Sequence, residues 1–193
     1  MKRLVIVGSS KALLSKENGN LIDSFDHIAR FNGFVIKGYE KYVGSKIDIF
    51  CFIPVGQGAY AFLKEINPFH VKRANELWAS RPLNICGREY KLVKRTIRQY
   101  NQKPIIHPTK ELFFNLIEKC KTLQKTSKHP STGMVAIEMI LERFIDHEIY
   151  ITGFDQFDGG HYYSNKPVKK CHPVIAEKII IDNYIKDGRL KLL

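Results

Sequence analysis

Short apolar runs alternate with longer amphipathic segments along the whole chain, and no other feature restricts the possible folds as tightly. Residues 4–7 read LVIV and stop at Gly8, Ser9 and Ser10. Residues 27–31, 47–54 (IDIFCFIP), 83–86, 104–107 (PIIH) and 149–151 are similar runs, the last followed by Thr152-Gly153 and the others ending at or just before a Gly, Pro or Asn. Runs of this length, rich in β-branched and aromatic residues, are expected to be buried strands. The turn after residue 7 is expected to lead into a helix and to offer backbone N–H groups and a positive helix end to a phosphate. A plain strand-to-helix turn explains the same residues equally well.

The intervening segments carry helical spacing. Residues 59–66 and 88–100 read as helices. Thr109 is expected to cap a helix to about residue 122, with Leu112, Phe113, Leu116, Ile117 and Cys120 on its inner face. Ser131 caps the next, whose face is Val135, Met139, Ile140 and Phe144. A last helix opens at His172 or Pro173 and runs to about Lys186, with Gly188 as its stop. Residues 38–46, 121–128 and 155–165 read as polar connectors, and 68–81 fits neither period. The alternation argues an α/β fold with a mostly parallel central sheet, and no linker or repeat divides residues 1–193, which form one domain. In such sheets ligands gather beyond the carboxyl ends of the strands. Ser9, Asn32, Pro54 and Gly153 stand at such ends.

The formal net charge of +12 favours an anionic partner: nucleic acid, a lipid surface, a nucleotide sugar or an acidic glycan. Lysines are spread along the chain and no nucleic-acid-binding module is evident, so nucleic acid is not the expected partner. Arg88, Lys91, Lys94, Arg95, Arg98 and the nearby Lys103 form either a solvated helix face or a platform for an acidic acceptor or a membrane. Four dispersed cysteines without a CxxC pair suit free thiols in a reducing compartment. The apolar run at 4–7 is too short for a signal peptide, and no segment reaches the ~20 apolar residues that span a bilayer. The expected location is cytoplasmic, with peripheral association at the inner membrane face left open by the charge.

Three places can carry chemistry. Ser131, Thr132 and Gly133 stand at a helix start, where hydroxyls and unpaired N–H groups suit an anion or a ribose; an ordinary cap is the alternative. His161 lies between Gly159-Gly160 and Tyr162-Tyr163, glycines that admit a ligand and aromatics that can stack on it, or a simple turn with surface aromatics. His172 near a helix start is a candidate base for a sugar hydroxyl, with Glu177 on the next turn; a capping histidine and a solvent-facing glutamate are the plainer explanation. The other histidines fit no metal spacing, HExxH and GxSxG are missing, and no metal is expected despite the Asp155/Asp158 pair.

At these residues the chain resembles glycosyltransferase family 29, the animal-type sialyltransferases. The family's large motif is similar to residues 5–54, its small motif to residues 129–154 (HPSTGMVAIEMILERFIDHEIYITGF), its third motif to His161-Tyr162-Tyr163, and its very small motif to His172 and Glu177. All four occur in family order, while residues 56–128 match none of them. The resemblance implies a three-layer Rossmann-like sandwich of the GT-A-variant type. It also implies inverting, metal-independent transfer of sialic acid, or a related acid such as Kdo, from a CMP-sugar to a glycan or glycolipid hydroxyl, with no cofactor beyond that donor. His172 would be the base and His161 would meet the phosphate. Ser9 and Asn32 would contact CMP, and Ser131, Thr132, Gly133 and Gly153 would hold its ribose and base. The sequence departs from the family at Ser9, where asparagine is usual, and at Ser164, where an acidic residue is usual. Leu4 and Ile145 stand where the family has a disulfide-bonded cysteine pair, so an apolar contact is expected in its place. These departures, with a short chain lacking stem and anchor, lead to the expectation of a microbial or viral relative. A non-catalytic nucleotide- or glycan-binding module is the alternative.

Overall fold

The structure, a computed structural model, describes residues 1–155, 160–164 and 171–193. Its strands are β1 (Lys2–Val7), β2 (His27–Phe31), β3 (Ile49–Phe52), β4 (Glu76–Ala79), β5 (Ile105–Ile106), β6 (His147–Thr152) and β7 (Lys191–Leu192). They form one sheet in the order β5-β4-β3-β2-β1-β6-β7, with every adjacent pair parallel. The helices are α1 (Gly19–Asp23), α2 (Glu40–Val43), α3 (Gly56–Glu65), α4 (Pro68–Arg73), α5 (Arg88–Arg98), α6 (Lys110–Gln124), α7 (Thr132–Arg143) and α8 (Val174–Lys186).

Helices cover both faces, and this is why β3 (IFCF) and residues 4–7 of β1 are apolar at every position rather than at every second one. Leu4 and Ile6 of β1, and Ile49 and Cys51 of β3, join a buried cluster with Phe113, Val135, Ile140 and Ile180 from α6, α7 and α8. The alternate residues point the other way. Phe50 and Phe52 pack with Ala59, Phe62, Val93 and Ile97 of α3 and α5. Val5 and Val7 pack with Ile22, Val43 and Tyr162. The result is the expected three-layer α/β sandwich, with a sheet that is wholly parallel among the described residues.

Several local expectations are corrected. Residues 83–86 are not a strand: Leu83–Ile85 form a 3-10 turn whose Leu83 is 59% exposed, so the run has no sheet to pack against. The strand of this region is β4, inside the stretch that fits neither period, together with α4. The loop-like 38–46 contains α2, and α6 continues to Gln124. Gly8-Ser9-Ser10 leads not into an α-helix but into a five-residue 3-10 turn, Lys11–Ser15, capped by Ser10. Leu4 is fully buried while Ile145 is 79% exposed, so these two make no apolar contact; the neighbouring Phe144 enters the cluster that holds Leu4.

Candidate active site

Because the strands run parallel, their carboxyl ends share one edge of the sheet, and the candidate residues gather there in two groups.

The first surrounds the end of β1. Gly8 N–H donates to the Thr152 carbonyl (2.8 Å), Ser10 N–H to Gly153 (3.1 Å) and Lys11 N–H to Gly160 (3.2 Å). These bonds zip the turn after β1 to the chain beyond β6. Position 8 must be glycine, since a Cβ there would lie 2.1 Å from the Gly153 oxygen. The N–H groups of Gly8, Ser10 and Lys11 are thereby spent inside the protein, and the short 3-10 turn supplies no α-helix dipole. Most of the expected backbone phosphate cradle is thus used within the fold, and side chains must take much of its role. Tyr162 N–H donates to the Ser9 carbonyl (2.9 Å), which brings His161 Nδ1 to 2.7 Å from Ser9 Oγ. The His161 ring lies flat on Tyr163, 5.2 Å between centroids. Burial lowers its pKa below the ordinary 6.5 against the opposing pull of Glu65, Ser9 and Asp155, so the ring is neutral near pH 7. In the tautomer where the Ser9 hydroxyl donates to Nδ1, the ring proton sits on Nε2 and can be donated to a ligand. Ser9 thus orients His161. Ser10 Oγ donates to Asp155; Asp158 and Gly159 lie outside the described residues.

Asn32 follows β2 with φ +50°, a left-handed conformation that asparagine tolerates better than most residues. Its side-chain carbonyl accepts the Ile53 N–H (3.0 Å), so the NH2 end is the one able to meet an anion.

The second group lies at the start of α7. Ser131 Oγ accepts the Met134 N–H (3.1 Å) as an N-cap and donates to Glu177 Oε2 (2.8 Å). Its own N–H donates to Glu177 Oε1 (2.6 Å). Glu177 is 5% exposed rather than solvent-facing, and burial pushes its pKa up to about 7 against the pull of both Ser131 bonds and Arg81. Thr132 Oγ1 lies 3.4 Å from Ser80 Oγ. Gly133 faces Phe154, whose ring a Cβ would meet at 3.0 Å, and Gly153 has φ +72°. Phe154 therefore joins the two groups, following Gly153 in sequence and packing on Gly133.

His172 precedes the α8 cap, Pro173, and so stands outside the helix instead of opening it. Its Nδ1 is 3.1 Å from the His129 carbonyl oxygen. A carbonyl only accepts, so Nδ1 carries the proton and the lone pair is on Nε2. Burial lowers the pKa below 6.5, and Arg81, Lys128 and His129 add to this, while the bond to His129 opposes it. The ring is a neutral base at pH 7.

Sequence reasoning missed Arg81. It is 6% exposed, donates from Nη1 to the Ser80 carbonyl (2.7 Å) and from Nη2 to Pro130 (3.3 Å), and lies over the Phe113 ring. Burial lowers its pKa to about 10, so it remains a cation. It ties the end of β4 to the residue before Ser131. The available signal was the run ELWA ending in Ser-Arg-Pro, a four-residue strand with a turn. Arg81→Met is expected to orphan the Pro130 and Ser80 carbonyls and to cost about 1–3 kcal/mol, read from the urea midpoint at constant slope.

Known proteins share this fold. The profile of glycosyltransferase family 29 (sialyltransferase) matches residues 1–189, and the chain belongs to that family. The human type 2 lactosamine alpha-2,3-sialyltransferase is 27% identical over 96% of this chain. The chain spans 62% of that relative's length. Among solved structures, a mammalian sialyltransferase in complex with Gal-beta-1-3GalNAc-ortho-nitrophenol superimposes with a TM-score of 0.66 at 18% identity, covering 100% of this chain and 69% of the other. A Campylobacter jejuni sialyltransferase with CMP-3FNeuAc gives 0.57 at 16% identity, covering 100% and 81%.

Proposed function

We propose that the chain transfers sialic acid from CMP-sialic acid to a galactoside hydroxyl, with inversion and without a metal ion. The observation that carries this is the placement of His172, whose Nδ1 lies 3.1 Å from the His129 carbonyl oxygen; with that nitrogen donating, Nε2 carries the lone pair of a neutral base at the carboxyl edge of the sheet. The acceptor oxygen attacks the anomeric carbon of the sialic acid as its proton passes to His172 Nε2. The bond from that carbon to the phosphate oxygen breaks, its electron pair leaving with CMP. His161 Nε2–H and the Asn32 NH2 meet the phosphate as this charge develops. The transition state has oxocarbenium character, as in glycoside cleavage. A monophosphate leaving group with such donors makes no demand for a divalent cation. Thr132, Gly133 and Gly153 shape the ribose and base pocket, with Ser131 holding the helix start beneath them. The names of the relatives support galactosides as the acceptor class and sialic acid over Kdo as the sugar.

CMP at about a hundred times its dissociation constant is expected to stabilise the protein by about 2.7 kcal/mol, a rise of several degrees in the melting midpoint that UMP does not match. CMP-sialic acid with a lactosamine acceptor is then expected to yield sialylated product at a rate unchanged by EDTA. A CMP shift without donor turnover points instead to a binding module, and loss of activity in EDTA refutes the metal-free mechanism.

A further inference from the structure

The outer face of α5 has no part in the proposed chemistry. Tyr90, Val93 and Ile97 turn inward and are buried. At 100° per residue, Arg88, Lys91, Leu92 and Arg95 fall together on the opposite side, with Lys94 at the flank. All five are exposed. Among the described residues, none of the four cations has a carboxylate within ion-pair distance. The turn leading into α5 exposes apolar side chains next to this helix in the chain: Leu83 is 59% exposed and Ile85 39%, while Leu92 within the basic row is 45% exposed. A merely solvated charged face needs no such leucines. A soluble polyanion matches the cations but leaves the three apolar side chains in water. An anionic bilayer surface takes both, with headgroups against the cations and acyl chains at the interface against Leu83, Ile85 and Leu92. Among the described residues no helix is long and apolar enough to cross a membrane.

The geometry points to a docking surface for anionic lipid formed by Leu83, Ile85, Arg88, Lys91, Leu92 and Arg95. It sits close to the candidate active site: Leu83 is two residues beyond Arg81, and Ser80 touches the Thr132 hydroxyl. A chain docked in this way holds the carboxyl edge of the sheet near the bilayer. The inference does not depend on transferase activity, because vesicle binding is measured without donor or acceptor.

The test is flotation with phosphatidylcholine vesicles, with and without about 30% phosphatidylserine. The protein is expected to float only with the anionic vesicles. Arg88→Glu, Lys91→Glu and Arg95→Glu together are expected to weaken binding roughly a hundred-fold or more. Lys110→Glu, Lys121→Glu and Lys186→Glu change the net charge equally on the opposite layer and are expected to leave binding within about three-fold. Leu83→Ser, Ile85→Ser and Leu92→Ser together are expected to abolish the binding that survives about 0.5 M salt. Equal losses in the two charge-reversed variants mean general electrostatic attraction and overturn the proposal. Full, salt-resistant binding after the serine substitutions overturns the apolar contact. Complete release of the unmodified protein by salt, which requires no variant, assigns the face to a soluble polyanion.

Discussion

His172→Ala is expected to lower transfer from CMP-sialic acid by about 10²–10⁴-fold while leaving CMP binding nearly intact. The fold should tolerate the change, since the side chain's bond to His129 lies in a loop and the nearby Val174 N–H pairs with the main-chain oxygen of residue 172, which alanine retains. His172→Gln sharpens the result. Its amide can still donate to the His129 carbonyl, but it presents no basic lone pair, so it should be as inactive as alanine if proton removal is the lost function. If glutamine restores activity, the residue positions and does not accept a proton. The pH profile gives an independent check. A base must be neutral to act, and burial together with Arg81, Lys128 and His129 depresses this histidine. The acidic limb of kcat/KM should therefore fall below pH 6.5, with full activity at neutrality. A limb well above 6.5 would mean that another group accepts the proton.

The histidines could be chosen from the chain alone because their surroundings are local. His161 follows a glycine pair and precedes two tyrosines, and His172 stands before a proline that starts a helix. Strand positions were legible for the same reason: 4–7, 27–31 and 47–54 are closed by turn residues at the point where the sheet ends. β4 escaped because four residues show no period, and the apolar run after it proved to be an exposed 3-10 turn held between Pro82 and Gly87. What no local pattern can show is partnership at a distance. Glu177 looks like a surface residue on an amphipathic helix until Ser131, 46 positions earlier, is seen to spend two donors on it. The serine that the family resemblance assigned to the ribose is engaged inside the protein, and Ser9 is engaged with His161. Arg81 lies where no family motif was evident, yet it fixes the residue before Ser131. Sequence located the residues; their division into those that face a ligand and those that hold others depends on hydrogen bonds between distant segments.

Glu177→Ala is expected to leave the Ser131 N–H and hydroxyl without their buried acceptor and to destabilise the protein by about 2–5 kcal/mol, a fall of roughly 5–15 °C in the melting midpoint. Glutamine should recover most of this. Its carbonyl accepts the Ser131 N–H, and its amide donates to Oγ, whose proton must then seek a partner elsewhere. The two variants differ further in their response to pH. The carboxyl titrates near its ordinary 4.5 when unfolded and at about 7 when folded, where burial is the dominant cause. Between these values the native state holds the extra proton. The contribution is therefore fully present below pH 4.5 and is lost as pH rises through about 7, by roughly 3 kcal/mol in all. Glu177→Gln removes that dependence, so its stability relative to the unmodified protein should improve steadily from pH 4.5 to 7 in urea titrations. Parallel curves over that range would sink the assignment. The catalytic consequence follows from where the residue stands. The Glu177 carboxylate clamps α8 to the start of α7, and His172 lies just ahead of α8, so the clamp sets the base against the nucleotide pocket. Glutamine, which keeps the clamp, should transfer within about ten-fold of the unmodified rate, whereas alanine should lose kcat even where it remains folded, because near-attack alignment tolerates little displacement.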